Sequence, residues 1–344
     1  MRPTRILQVQ PNMPGERDTN DPLSANKDAF LACLEAAGRF DPDFVVFPEL
    51  VLADDTGRHD RPVSEVAIEL PGPFTDRVAE AAATLEAYVW VPTYEVEGDT
   101  VYNAVALIGP AAGYRGTYRK IAPTIGELED RGIAPGTELP VWDTPFGRVG
   151  ATICWDVRFD ELALAYRRRE LDLMVHPTHG LGWGKFAHWA TYHGFHIAYC
   201  FPSDAKVYTP HGHVVGRGTG HPTMPTVDFD DLGGARFHVA TVNTNMRSYD
   251  MGSFDYSDTE LTAIQEAYPE SVAIHTPQEE GIIVLESRDE MLDIVTVERE
   301  FDLLTTEAAE RRTRELARNA DSAVPLLEPR RLERGDAPLP AADD

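Results

Sequence analysis

The stretch DFVVFPEL (residues 43–50) constrains the fold of this chain more than any other segment. Four apolar residues, Phe44, Val45, Val46 and Phe47, follow one another with no polar alternation, and Pro48 stops the run. Such a segment reads as a short strand buried on both faces, which requires a sheet with cover on each side. RVGATIC and DLMVHPT have the same character. Between these strands lie helical patterns. In NKDAFLACLEAAGRF, opened by Ser24 and Asn26, the residues Phe30, Cys33, Leu34 and Ala37 share one face. PFTDRVAEAAATLEA and DELALAYRRREL read as further helices, and FAHWATYHGFHIAYCFP as a helix running into a strand. This alternation predicts an α/β fold with helices covering the sheets. Gly98 and Asp99 join two strands in a tight turn, so a layered sandwich fits better than a simple doubly wound sheet.

Beyond about Asp204 the pattern loosens. PHGHVVGRGTGHPTMP reads as an exposed loop, and strand signals return at ARFHVATVNTN, GIIVLES and MLDIVTVER. EAAERRTRELARNA reads as a charged helix near the end, followed by a ragged acidic tail.

Charge narrows the partners. The 57 acidic residues outnumber the 31 basic ones, for a formal charge of -26, and lysine occurs only at Lys27, Lys120, Lys185 and Lys206. Self-repulsion on that scale is relieved in concentrated salt, where the Debye length falls to roughly 3 Å at 1 M. A halophilic, cytoplasmic protein is the expectation; full activity and an unchanged melting temperature in low salt would refute it. Nucleic acid and anionic membranes are poor partners for such a surface. No apolar run approaches the ~20 residues of a membrane span, and the N-terminal MRPTRILQVQP is too short an apolar run for a secretory signal.

Three cysteines, an odd number with no C-x-x-C spacing, predict free thiols in a reducing compartment. Cys33 lies on an apolar helix face and Cys200 in an apolar strand, so both read as core. Cys154 differs, because it closes a strand and precedes Trp155 and Asp156 where a helix would begin. Backbone N–H groups at such a turn favour a thiolate and expose the sulfur. From these residues alone Cys154 is either a nucleophile or a small core residue. His176 and His179 are candidate bases for it. Glu49 competes with them, since partial desolvation at a strand mouth would raise its pKa into the range of a general base. Lys120 is a compact point charge in a chain that otherwise uses arginine, suited to a developing oxyanion.

FVVFPEL, YRK and GATICWDVRFDEL, in that order, resemble the nitrilase superfamily, the carbon–nitrogen hydrolases. TVYNAVALIGPAAGYRGTYRK, the dipeptide Pro135 and Gly136, and FGRVGATICWDVRFDEL are similar to that family's surrounding text, from about Arg5 to Asp204. The resemblance implies a four-layer α-β-β-α sandwich. It implies Cys154 as nucleophile, Glu49 as general base, and Lys120 with the backbone N–H of Trp155 as oxyanion donors. It also implies a second glutamate between the lysine and the cysteine. Counting back from Pro135 and Gly136 selects Glu129, the preferred assignment; counting forward from Lys120 selects Glu127.

The implied activity is hydrolysis of a small linear amide or carbamoyl compound with release of ammonia, with no cofactor and no metal. CWD resembles the amidase and carbamoylase branches, whereas RKIAPT is similar to nitrile-cleaving members, so a nitrilase is the alternative. A non-catalytic binding protein is the reading from a different class. The implied partners are the small-molecule amide, carbamoyl or nitrile substrate and further copies of the chain, in a homodimer or higher homo-oligomer. The expected organisation is one domain over 1–320, with an insertion at about 204–270 and a tail at 321–344. His211, His213 and His221 in the insertion read as solvated loop histidines rather than metal ligands. His179, Trp183 and His188 read equally well as pocket, core or surface.

Overall fold

The computed structural model describes residues 1–13, 21–53, 62–180, 184–216, 226–229, 232, 234–250, 259–276 and 281–317. The chain begins with β1 (Pro3–Gln10), α1 (Pro22–Ala37), β2 (Phe44–Val46), α2 (Pro73–Leu85), β3 (Tyr88–Glu97), β4 (Thr100–Gly109) and β5 (Gly113–Arg119). It continues through β6 (Trp142–Thr144), β7 (Gly147–Ala151), α3 (Asp160–Arg167), β8 (Leu173–Pro177), α4 (Gly184–His193), β9 (His196–Phe201), β10 (Asp204–Tyr208) and β11 (Val214–Gly216). The last part holds β12 (Thr226–Phe229), β13 (Ala235–Asn243), β14 (Met246–Asp250), α5 (Thr259–Ala267), β15 (Val272–His275), β16 (Ile282–Ser287), α6 (Ile294–Glu300) and α7 (Thr306–Ala317).

Two sheets form the body, in the orders β12-β13-β1-β2-β3-β4-β5 and β11-β10-β9-β8-β7-β6. The apolar runs work as their composition demands. Along β2, Phe44 and Val46 enter the core shared with the second sheet, whereas Val45 and Phe47 face the core under α1 and α2. β1 and β3 divide in the same way, Ile6 and Trp90 to one side and Leu7 and Val89 to the other. With period-2 side chains, both faces of the sheet are covered. α3 and α4 supply Leu162, Tyr166, Phe186 and Trp189 to the core beneath the second sheet. The layers are therefore helix, sheet, sheet, helix, as the sequence resemblance implied. Gln8 ties the two sheets, its amide donating to the carbonyls of Tyr199 and Lys206. α1 starts four residues before Asn26, because Asp21 accepts the N–H of Ser24 and Pro22 occupies the first turn.

Two expectations are corrected. The 204–270 stretch is not a surface insertion: β10 pairs with β9, and β13 runs antiparallel along the whole of β1. β10 lies where the sequence pattern loosens, whereas β13 coincides with the strand signal at ARFHVATVNTN. The segment MLDIVTVER is not a strand. Asp293 accepts the N–H of Val295 and starts α6, whose Ile294 and Val297 lie three apart on one buried face. A third sheet, β14-β16-β15, has its own core of Tyr249, Ile264, Ile283 and Val297. The expected tail at 321–344 lies outside the described residues. Among the described residues, no helix is long and apolar enough to cross a membrane.

Candidate active site

β2, β7 and β8 run parallel to a neighbour in their sheets. Their carboxyl ends release Glu49, Cys154 and His179 into one cavity, the usual place for a site in an α/β sheet. β5 ends one residue before Lys120, which enters from the side. The cavity is about 570 Å³ and is also lined by Tyr94, Glu127, Arg131 and Pro202.

Lys120 is 1 % exposed and Glu49 is 3 % exposed. The Lys120 Nζ donates to Glu49 Oε1 at 3.0 Å and to Glu127 Oε2 at 2.8 Å. Asn103 Nδ2 donates to both carboxylates, at 2.8 Å to Glu49 Oε1 and 2.7 Å to Glu127 Oε1. Two carboxylates thus share one ammonium and one amide. Burial works against the charge on Lys120, but Glu49 and Glu127 outweigh it and keep the ammonium protonated well above its ordinary range. Burial alone would raise Glu49; Lys120, His179 and the Asn103 bond instead hold it down at about 2. The expected upward shift of Glu49 is therefore corrected in sign, because its partners are closer than solvent is missing.

The second glutamate is corrected as well. Glu127 and Glu129 both lie in the single helical turn Gly126–Asp130. Residues two apart on such a turn face opposite ways. Glu127 points inward to Lys120 and is fixed by the Thr124 N–H at 2.7 Å, whereas Glu129 is exposed.

Cys154 stands just past β7 with φ of 44°, a left-handed conformation that a cysteine adopts only when its surroundings impose it. Its sulfur lies near the Thr178 side chain and the His179 main chain. The His179 N–H donates to Glu49 Oε2 at 2.8 Å, which holds the carboxylate on the sulfur's side of the cavity. Burial and the Glu49 charge push the thiol up to about 11. The resting group is a thiol, not the thiolate expected from the turn, because burial first and the Glu49 carboxylate second outweigh Lys120 and the neighbouring donors. Trp155 is 41 % exposed, with Arg158 4.8 Å over its ring.

His176 does not serve as a base. It is buried, its Nδ1 lies 2.8 Å from Thr152 Oγ1, and burial pushes it down to about 3. His179 Nε2 donates to the Glu49 carbonyl at 2.7 Å, so the ring holds the Glu49 main chain rather than the sulfur. His188 stacks on Tyr192, away from the cavity, and Trp183 lies outside the described residues. His211 packs against His213 and His275, with ring centroids 4.3 and 4.7 Å away. Among the described residues no cluster of His, Cys, Asp and Glu is arranged to hold a metal; His221 lies outside them.

Asp156, Asn103 and Pro135 with Gly136 were visible as text but had no assigned part. Asp156 Oδ2 accepts the Ile153 N–H at 2.8 Å and the Tyr118 hydroxyl at 2.6 Å; Oδ1 accepts the Ala122 N–H at 2.8 Å. One buried carboxylate thereby locks the Cys154 turn to the segment carrying Lys120. Asp156→Asn places an amide N–H₂ against one of these donors. A drop in kcat of about 10²-fold is expected, the scale of a 1 Å misplacement, with little change in KM. Burial pushes Asp156 up to about 6. Since the carboxylate form is the acceptor, wild-type kcat/KM should fall as pH drops through about 6, and Asp156→Asn should lack that limb. Glu49, held at about 2, is ionised throughout this range. A limb that survives in Asp156→Asn would refute the assignment.

Gly136 donates its N–H to the Lys120 carbonyl at 2.8 Å, and a Cβ there would stand 2.2 Å from the Arg119 carbonyl oxygen. Gly136→Ala must move the end of β5. A stability loss of about 2 kcal/mol in urea titration is expected, with reduced activity in the fraction that folds.

The model of the carbon-nitrogen hydrolase family matches residues 7–199. The chain belongs to this family. A rice (Oryza sativa subsp. japonica) bifunctional nitrilase/nitrile hydratase, NIT4, is 30% identical over 165 residues, 42% of this chain and 46% of that protein. The tobacco (Nicotiana tabacum) NIT4B is 37% identical over 112 residues, 33% of this chain and 32% of its own. The chain thus spans a third to a half of the length of these curated relatives. An amidase from Nesterenkonia sp. superposes with a TM-score of 0.54 at 18% identity, covering 69% of this chain and 90% of the amidase. Saccharomyces cerevisiae Nit3, of the nitrilase superfamily, does so with a TM-score of 0.56 at 17% identity, covering 78% and 96%. These likenesses establish the carbon–nitrogen hydrolase sandwich fold.

Proposed function

We propose that the protein hydrolyses a small linear amide or carbamoyl compound through a Cys154 acyl-enzyme and releases ammonia. The observation that carries this reading is that Glu49, held by the Lys120 ammonium and the His179 N–H, lines one cavity with Cys154. The thiol is neutral and the carboxylate ionised, so Glu49 takes the thiol proton as the sulfur attacks the carbonyl carbon. The oxyanion falls to Lys120 and the Trp155 N–H, donors already in place before charge develops. Collapse returns the proton from Glu49 to the leaving nitrogen, and ammonia departs, leaving a thioester. Water then attacks, giving its proton to Glu49, and the second collapse restores the thiol and frees the acid. Glu127 and Asn103 keep Lys120 and Glu49 aligned through both halves.

A nitrile is the second reading, favoured by the curated relatives being nitrilases and by the text RKIAPT. The amide reading is supported by CWD and by the amidase among the structural neighbours, one of whose variants carries the acetamide moiety of fluoroacetamide on its active-site cysteine. Ammonia release from a panel of short amides, N-carbamoyl compounds and nitriles, in molar potassium chloride, tests the choice. Release from amides or carbamoyl compounds is the expected result; release from nitriles alone would overturn it. The acidic composition supports work in a salt-rich cytoplasm, and the family resemblance supports a homodimer.

A further inference from the structure

A second cavity, of about 440 Å³, opens beside the turn between β3 and β4, where Asp99 and Val101 line it with Ser64 and Gly132. Asp130 and Arg131 line both this cavity and the active-site cavity, so the two adjoin across that pair of residues. A linear substrate held at Cys154 can therefore extend outward past Asp130.

Acidic groups predominate along this path. In the active-site cavity Glu49, Glu127 and Asp130 stand against Lys120 and Arg131. In the second cavity Asp99 and Asp130 stand against Arg131. Both cations are engaged: Lys120 Nζ is bonded to Glu49 and Glu127, and Arg131 Nη1 donates to the hydroxyl of the buried Tyr94 at 3.2 Å. Asp130 differs. It is exposed, and among the described residues no hydrogen bond or ion pair engages its carboxylate. It closes the helical turn Gly126–Asp130 that also carries Glu127, so its place relative to the catalytic cluster is set by that turn. Its Oδ2 stands 3.4 Å from where a Cβ on Gly126 would lie, and Gly126 lines the active-site cavity. The carboxylate is thus presented at the cavity wall as an open acceptor. Asp99, also exposed, adds negative charge beyond it.

We propose that the substrate is a linear amide whose far end is an ammonium, and that Asp130 is the residue that selects it. The amide carbon lies at the Cys154 sulfur, and the chain runs out past Glu127. The terminal ammonium meets the Asp130 carboxylate as a charge-assisted hydrogen bond, in the field of Asp99. A terminal carboxylate in the same place would meet like charge. This substrate class deepens the proposed amide hydrolysis and rests on it.

Three amides of matched length test the selection: 6-aminohexanamide, 6-hydroxyhexanamide and pimelic acid monoamide. They are compared in molar potassium chloride at about pH 8, where an alkylammonium is charged and an ordinary histidine is neutral. The kcat/KM for the ammonium-ended amide should exceed that for the hydroxyl-ended one by about threefold or more, and that for the acid by about tenfold or more. Asp130→Asn should lower the ammonium-over-hydroxyl ratio by about threefold, and Asp130→Lys should turn the preference toward the acid. Glu80→Gln, exposed on α2 and lining neither cavity, should leave the ratio as it is. Calorimetric binding of the same three compounds to Cys154→Ala separates two kinds of failure. An ammonium preference in binding without hydrolysis by the wild type refutes the amide reading and upholds Asp130 as a cation subsite. Hydrolysis with no ammonium preference leaves the amide reading standing and overturns the subsite. A preference for the acid, or an ammonium preference that survives Asp130→Asn, overturns the proposal.

Discussion

Cys154→Ala is expected to remove ammonia release from every substrate the wild type cleaves, by a factor of at least about 10⁴. The size of the effect follows from the division of labour in the cavity. In the proposed mechanism Glu49 moves a proton and Lys120 holds charge, but only the sulfur forms a bond to the substrate carbon. With the sulfur gone, the remaining groups can bind an amide without opening a covalent route. The fold should survive, because the substitution leaves the main-chain bonds of the Cys154 turn in place: the Asp156 N–H still reaches the Ile153 carbonyl and the Ile153 N–H still reaches Asp156. Unchanged melting with bound but uncleaved amide is the expected pair of results. Persistent hydrolysis in the variant would refute the acyl-enzyme.

Lys120→Met is the second large effect, and it acts on stability as well as rate. Among the described residues the ammonium is the sole cation bonded to Glu49 Oε1 and Glu127 Oε2, and both carboxylates are buried. Removing one partner of a buried pair costs about 3–5 kcal/mol. In the wild type the depressed pKa of Glu49 contributes stability that is present above its ordinary value and lost as pH falls toward about 2. Without Lys120, burial governs Glu49 and raises its pKa above the unfolded value. The sign then reverses, so the variant should lose stability as pH rises from 4 to 7, where the wild type does not. Catalysis loses both an oxyanion donor and an ionised base at neutral pH, for a fall in kcat of about 10³-fold or more. Lys120→Arg should not restore the rate, because a planar fork cannot replace a point charge at 2.8 and 3.0 Å from two carboxylates. Parallel pH–melting curves for wild type and Lys120→Met would contradict this account.

Much of the site was legible before any coordinates, for a physical reason. Glu49 and Cys154 each stand where an apolar strand ends, and Lys120 where a strand meets a turn, so local punctuation marks them. Their role assignments came from resemblance to a family rather than from spacing. The second glutamate was misassigned because Glu127 and Glu129 are equivalent in composition and differ only in which side of one helical turn they occupy. Asn103 was quoted without a function, since an asparagine inside a strand carries no signal until two carboxylates converge on its amide.

The chain's own text determined that runs such as FVVFP need cover on both faces of their sheet, and the resemblance to the carbon–nitrogen hydrolases implied helices on one side and a second sheet on the other. It also marked Glu49 and Cys154 as polar residues at the ends of apolar strands. Tertiary structure decided the rest. The strand β10 has a weak local signal and becomes a strand because β9 offers it an edge. The charge states of Glu49, Lys120 and Cys154 depend on groups dozens of residues away in sequence, and in Glu49 those groups reverse the shift that burial alone would impose. Local pattern is set by neighbours along the chain, whereas electrostatics and strand pairing are set by neighbours in space.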